Sequence, residues 1–171
     1  MKKHIALFLA AAFFFVATIS CTDDDVNPGG TATQKLAGDW YVQLLGEDGV
    51  DYTPYITDGK IKVTTYNTAA NIPTEMFFDD GEAYPVKCKV KCDTGTLTFN
   101  TSDFVDNYYT SGDGTNYPVK IYEGKIIPNG GHAKSGRVTD SIYVKFEVED
   151  DPGYLYIYAG QRRTGFLEDE Y

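Results

Sequence analysis

The sequence predicts an all-β fold, an antiparallel barrel or sandwich of about eight to ten strands. Three observations carry that prediction. From Leu36 onward, apolar residues alternate with polar ones at period two, not at the helical 3.6. Turn signals such as Asp48-Gly49, Asp58-Gly59, Asp80-Gly81 and Pro152-Gly153 interrupt the alternation at short intervals. No window after residue 36 has the spacing of a convincing amphipathic helix. Of 171 residues, those left after the leader described below suit a single domain that buries its own core.

The elements follow in order. Trp40, Val42 and Leu44 alternate with Tyr41 and Gln43 in a first strand, and Asp48-Gly49 turns the chain. Lys60 to Thr64 alternates after Asp58-Gly59. Met76 to Phe78 is short and apolar and ends at Asp79-Asp80-Gly81. Val86 to Cys92 alternates strictly, and Asp93-Thr94-Gly95 leads into Thr96 to Phe99. Residues 100–116 read as a long surface loop with one helical turn at Ser102 to Tyr109. Val119 to Tyr122 and Lys125 to Ile127 flank Glu123-Gly124, and Asn129 to Gly136 is a further loop. The last two strands, Ser141 to Glu149 and Tyr154 to Ala159, form a hairpin.

Asp150-Asp151-Pro152-Gly153 sets the expected register of that hairpin. With Asp151 and Pro152 as the central pair, Val148 faces Leu155, Phe146 faces Ile157 and Val144 faces Ala159. These share the core side. Continuing outward, Asp140 faces Arg163 and turns it inward. Tyr143, Tyr154, Tyr156 and Tyr158 then share the outer face with Lys145 and Glu147.

Residues 1–20 read as a secretory signal: Lys2-Lys3-His4, an apolar run from Ile5 to Ile19, and the small residue Ser20. The run is shorter than the roughly 20 apolar residues of a membrane span. Cys21 stands where a bacterial lipoprotein carries its lipidated cysteine. The segment resembles a lipoprotein signal, and Thr22-Asp23-Asp24-Asp25 resembles the acidic tag of surface-exposed Bacteroidetes lipoproteins. That resemblance implies lipidation of Cys21 and an outer-membrane, cell-surface location. Thr18-Ile19-Ser20 departs from the usual Leu-Ala-Gly, and an ordinary cleaved signal with an incidental cysteine is the alternative. Residues 21–34 then form an acidic, Pro- and Gly-bearing tether, and residues 35–171 the β domain.

Without residues 1–20 the chain loses Lys2 and Lys3 and no acids, leaving 13 basic against 25 acidic side chains, a net charge near −12. That balance argues against nucleic acid, whose phosphates need a basic surface. It also argues against electrostatic attachment to anionic headgroups, so membrane association falls to the acyl chains on Cys21. Cys88 and Cys92 lie roughly 13 Å apart on one side of an extended strand, beyond the ~7 Å a disulfide spans. They read as buried thiols. His132 is the one histidine after the signal, too few ligands for a metal centre, and no cofactor is expected.

Leu36-Ala37-Gly38-Asp39-Trp40-Tyr41 contains a Gly-x-Trp that resembles the opening of lipocalins and the broader calycins. The resemblance implies a barrel whose tryptophan plugs one end under a basic residue from the last strand. Arg163, inward in the expected register, is the candidate partner of Trp40. Ser135-Gly136, Thr139 to Ile142 and Gly160 to Asp169 (GQRRTGFLED), together with the opening, resemble a lipocalin-like lipoprotein family of Bacteroidetes labelled "lipid-binding putative hydrolase". Fold-level likeness does not carry a function with it.

Three functions follow as expectations. The family implies a small apolar ligand, a lipid or similar, held in the barrel without catalysis. Its lining would come from Val144, Phe146, Val148, Leu155 and Ile157, although the same residues could simply fill a core. The outer tyrosines, Tyr143, Tyr154, Tyr156 and Tyr158, offer a face for a glycan or protein partner. The label also names a hydrolase. His132 with Ser135 gives no triad, no G-x-S-x-G elbow occurs, and no catalytic residue is assigned. The acidic end, Glu168 to Tyr171, reads as solvated.

Overall fold

Gly38–Gly46 forms β1, whose alternation sends Trp40, Val42 and Leu44 inward, all buried. The structure, a computed structural model, describes residues 29–171. The signal, Cys21 and most of the tether lie outside the described residues. After β1 come β2 (Ile61–Asn67), β3 (Glu75–Asp79), β4 (Lys87–Asp93), β5 (Thr98–Asn100), β6 (Val119–His132), β7 (Val138–Val148) and β8 (Tyr156–Arg162). Each pairs antiparallel with the next, and β8 returns to β1. The sheet is a closed eight-stranded barrel, so no strand is left at an edge.

Eight strands enclose an interior just wide enough for side chains to fill. Here aromatic rings fill its middle. Phe78 stacks on Phe99 at 6.3 Å and meets Tyr158 at 6.0 Å, and Tyr158 stacks on Phe146 at 5.1 Å. Met76, Cys88, Val90 and Val144 close around them.

Three features differ from the sequence expectation along β6 and the loop before it, the first being that β6 runs on to His132, paired there with Val138, and takes in the first half of the expected 129–136 loop. Glu123-Gly124 is not a turn: β6 runs through it as one strand with a register shift between Ile121 and Glu123. Gly124 is there because a β-carbon would collide with the Phe99 ring. Residues 102–109 contain no helical turn. Val105 bridges to Val119 instead.

The final hairpin is shifted by one residue from the expected register. Phe146 faces Tyr156, Val144 faces Tyr158 and Ile142 faces Gly160. The connection is two successive turns, Asp151 N–H to Val148 O at 3.1 Å and Tyr154 N–H to Asp151 O at 3.2 Å. Glu147 pins it by accepting the Gly153 amide at 2.7 Å. A one-residue slip exchanges every side chain of β8 between faces. Tyr156 and Tyr158 are therefore core residues, not outer ones. Leu155 and Ile157 have the opposite parity and are half-buried in the wall.

The same slip corrects the plug. Arg162, not Arg163, lies over Trp40, its guanidinium carbon 4.3 Å from the ring centre. Trp40 Nε1 donates to Thr65 Oγ1 at 2.9 Å, and Thr65 Oγ1 donates to Leu36 O at 2.6 Å. Arg162 Nη1 donates to Ala37 O at 2.8 Å, and its Nε donates to Asp140 at 3.2 Å. A β-carbon on Gly38 would collide with that guanidinium, so Gly-x-Trp is here a steric requirement.

Arg163 points outward to Glu170 at 2.8 Å and Asp39 at 3.7 Å. The chain end is consequently not a solvated tail. Asp169 is buried, accepting the Ser135 amide at 2.7 Å and the Thr164 hydroxyl at 2.7 Å. Glu170 also accepts the Tyr41 hydroxyl. Tyr171 packs edge-on to Tyr41, ring centres 5.1 Å apart. The last residues thus strap across the outside of β1.

Candidate functional site at the loop end of the barrel

With one end sealed by Trp40 and Arg162, the other collects the long connections: residues 47–60, 80–86, 101–118 and 149–155. Their tyrosines converge. Tyr84 meets Tyr156 at 4.7 Å and Phe146 at 6.3 Å. Tyr154 meets Tyr156 at 4.9 Å, and Tyr52 meets Tyr156 at 6.0 Å. Each ring presents its apolar body to the core and its hydroxyl to the rim. Tyr156 donates to Asp151 and Tyr154 to Asp48, both at 2.9 Å. Burial pushes the Tyr84 and Tyr156 hydroxyls above their ordinary range, so both stay protonated donors.

The 80–86 connection is held from inside by one carboxylate. Asp80 is buried; its Oδ1 accepts the Val86 amide at 3.0 Å, and its Oδ2 accepts the Tyr84 amide and the Tyr158 hydroxyl, each at 2.9 Å. Burial raises its pKa to about 6, against those three donors, which favour the charged form. The loop backbone is unusual beside it. Gly81 and Glu82 both have positive φ, +65° and +67°. For Glu82 that left-handed conformation costs about 1–2 kcal/mol, which the Asp80 bonds offset.

Beside this loop lies a cleft of about 480 Å³, within the range of small-molecule sites. Ile56, Ile61 and Ala83 give it an apolar floor, and Lys60, Lys62 and Asp79 stand around it. Asp79 is already engaged: Tyr66 and Tyr109 donate to it at 2.9 and 2.8 Å, and Lys87 pairs with it at 3.0 Å. Burial opposes its charge but the bonds prevail, holding its carboxyl below the ordinary range. Lys62 pairs with Asp39 at 3.4 Å. Lys60 has no ion pair among the described residues, and burial lowers its pKa. The cleft therefore presents, beside an apolar floor, one cation that makes no ion pair among the described residues and is supported only by the charge of nearby Asp51.

Of the lining residues expected from sequence, Val144, Phe146 and Val148 do face inward and are buried. Tyr143 is on the outer wall, with Lys125 Nζ 4.8 Å from its ring centre. Tyr154 sits at the loop end, apart from Tyr143, so the expected four-tyrosine outer face does not exist. Cys88 and Cys92 are free thiols, Cys88 buried and Cys92 half-buried. His132 and Ser135 are exposed near the β6–β7 turn, and no hydrogen bond joins their side chains among the described residues. Sequence reasoning missed Asp80, Tyr84 and Lys60. Asp79-Asp80-Gly81 had registered only as a turn signal.

An eight-stranded closed barrel with a sealed end and a loop-framed mouth is the architecture of a binding scaffold. The sequence matches, over residues 25–167, the family described as "Lipid-binding putative hydrolase", and the chain belongs to that family. No curated protein matches the chain.

Proposed function

We propose that this protein binds an anionic amphiphile, such as a fatty acid, at the loop end of its barrel, and does so without catalysis. Family membership and the closed barrel support a lipid-binding function at the general level. The observation that carries the finer reading is the cleft itself, where Lys60, in no ion pair among the described residues, stands beside Ile56, Ile61 and Ala83. An acyl chain gains about 0.8 kcal/mol for each methylene buried on that floor. A carboxylate or phosphate head would meet Lys60, whose desolvation the head would relieve. The interior proper is occupied by Phe78, Phe99, Phe146 and Tyr158, so the ligand belongs in this cleft, on the outer face of β2 and β3 beside the 80–86 loop, and not in a hollow lumen.

In this reading the domain is displayed at the cell surface. Residues 1–20 direct export, Cys21 carries the acyl anchor, and the acidic tether separates anchor from barrel. Supporting it are the basic start, the apolar run and the Cys-Thr-Asp-Asp-Asp sequence.

Titration of the domain from Thr22 onward with oleate and with monooleoylglycerol, followed by native mass spectrometry, tests the site. Lys60→Glu should weaken oleate about tenfold, the scale of one partly screened ion pair, and leave the neutral lipid unchanged. Oleate binding indifferent to Lys60→Glu, or no binding of either lipid, would overturn the proposal.

A further inference from the structure

A second cleft opens through the side of the barrel, away from the mouth, between β4 and the 101–108 segment. Its origin is a gap in the backbone ladder. Cys92 donates its amide to Thr74 at 3.0 Å, which fixes the parity of β4: the amides of Cys88, Val90 and Cys92 face β3. Those of Lys87, Lys89 and Lys91 face the other way. There, Lys91 pairs with Asn100. Lys87 donates its amide to Asn107 Oδ1 at 2.9 Å, and its carbonyl accepts the Tyr108 amide at 2.7 Å. Between these two anchors the chain turns away to β6. Thr101 donates to Ile121 O at 2.9 Å, and Val105 bridges to Val119. The backbone N–H and C=O of Lys89 are left facing the cleft without a partner among the described residues.

The space is about 510 Å³, with Val90 and Val105 as floor, Tyr108 as a wall, and Lys89, Asp103 and Asp106 at the rim. Tyr108 is 56% exposed, yet its ring is held in place: Phe77 meets it edge-on at 5.3 Å and stacks in turn on Tyr66 at 5.5 Å. The rim charges nearly cancel. Lys89 lies 3.7 Å from Glu75, and Lys91 donates to Ser102 at 2.9 Å, so neither an anion nor a cation is selected. Both ends of the gap are closed by the pairings at Lys87 and Lys91, four residues or about 13 Å apart. An added peptide strand would have to run past those closures.

We infer that this side cleft is a binding site for a neutral saccharide of one or two rings, stacked on Tyr108. The ligand class follows from the features above. An apolar ring face suits Tyr108 and the valine floor, and hydroxyl groups both donate and accept. They can therefore satisfy the Lys89 backbone pair and the carboxylates of Asp103 and Asp106 without bringing in charge. The inference does not rest on the lipid reading: the two clefts share no lining residue, although both border the 101–118 connection, where Tyr108 faces this cleft and Tyr109 the one at Lys60.

The test is amide-resolved NMR of the domain titrated separately with cellobiose, maltose, lactose, galacturonic acid and oleate. Saturable shifts at Lys89, Val90 and Tyr108 with at least one neutral disaccharide, exceeding those with galacturonic acid, are expected. Tyr108→Ala should weaken that binding about tenfold, whereas Tyr108→Phe should preserve it, because the face of the ring and not the hydroxyl makes the contact. Asp106→Asn, which is exposed and structurally neutral, should weaken it less than Tyr108→Ala. No saturable shift with any neutral disaccharide would overturn the inference, as would binding indifferent to Tyr108→Ala. Oleate moving these amides while the sugars do not would make the cleft a lipid site and also overturn it. Loss of oleate binding through Lys60→Glu, with sugar shifts intact, keeps the two sites distinct.

Discussion

Asp80 should make the folded barrel most sensitive to pH between about 4 and 6. Its carboxyl titrates near 3.8 when the chain is unfolded and at about 6 when buried under the 80–86 loop. A folded-state pKa above the unfolded one means that the native protein binds the extra proton. The associated stability is fully present below pH 3.8 and is lost as the pH rises through about 6. Two pH units correspond to about 3 kcal/mol. Other carboxylates act in the opposite sense: Asp79 is held below its ordinary range and its contribution is lost in acid. The difference between wild type and Asp80→Asn isolates the Asp80 contribution. Asparagine has one acceptor oxygen for donors that Asp80 takes on two, so it leaves one backbone amide, that of Val86 or of Tyr84, unpaired. A fixed penalty of about 1–3 kcal/mol therefore applies at every pH. Superimposed on it, the variant should gain about 3 kcal/mol relative to wild type between pH 4 and pH 7. Urea unfolding followed by the fluorescence of Trp40, the single tryptophan of the chain, reads both. A difference that stays flat across that interval would refute the reasoning, because Asp80 would then titrate alike in both states.

Arg162→Ala should destabilise the domain by about 2 kcal/mol, from the lost stacking on Trp40 and the bond to Ala37. It should also shift Trp40 emission to the red. Arg163→Ala, which loosens only the outer strap, should cost less and leave the emission unchanged. The reverse order would contradict the observed hairpin register. Gly38→Ala should produce the spectral change of Arg162→Ala, because the added methyl displaces the guanidinium. Burial pushes the Cys88 thiol up to about 12, so at pH 8 Cys88 should resist alkylation by iodoacetamide until the barrel unfolds. Half-buried Cys92 should react first, and peptide mass mapping after a timed pulse distinguishes the two.

The barrel itself was legible because its signal is local. Alternation placed β1 to β5 within about three residues at either end, β2 running on to Asn67 past the expected Thr64, and period-two reasoning put Trp40, Val42, Leu44, Phe146 and Val144 on the inner face. What failed depends on groups far apart in sequence. The register of the last hairpin was read from Asp151-Pro152 alone. The observed register is tied instead to the Tyr158 hydroxyl reaching Asp80, 78 residues away, and to Arg162 covering Trp40. Glu123-Gly124 looked like a turn because a glycine beside a charge usually is one, whereas this glycine answers to the Phe99 ring across the barrel. No local pattern records either constraint.

The slip has a consequence for the site. In the expected register the tyrosines of β8 decorate the outside, and aliphatic Leu155 and Ile157 line a greasy interior. In the observed register Tyr156 and Tyr158 stand inside, and the middle of the barrel is an aromatic stack tied through hydroxyls to Asp80 and Asp151. An apolar chain entering that stack would have to separate Phe146 from Tyr158 and displace bonded hydroxyls, at several kcal/mol for each buried polar group left unpaired. The cleft beside the 80–86 loop asks for neither. Its floor of Ile56, Ile61 and Ala83 is already formed, and Lys60 makes no ion pair among the described residues. The same loop that Asp80 holds supplies Ala83 to that floor, so occupancy by an acyl chain and the ionisation of Asp80 act on one element. Monooleoylglycerol, which carries no titrating head, should therefore bind with an affinity that differs between pH 5 and pH 7 in wild type and not in Asp80→Asn.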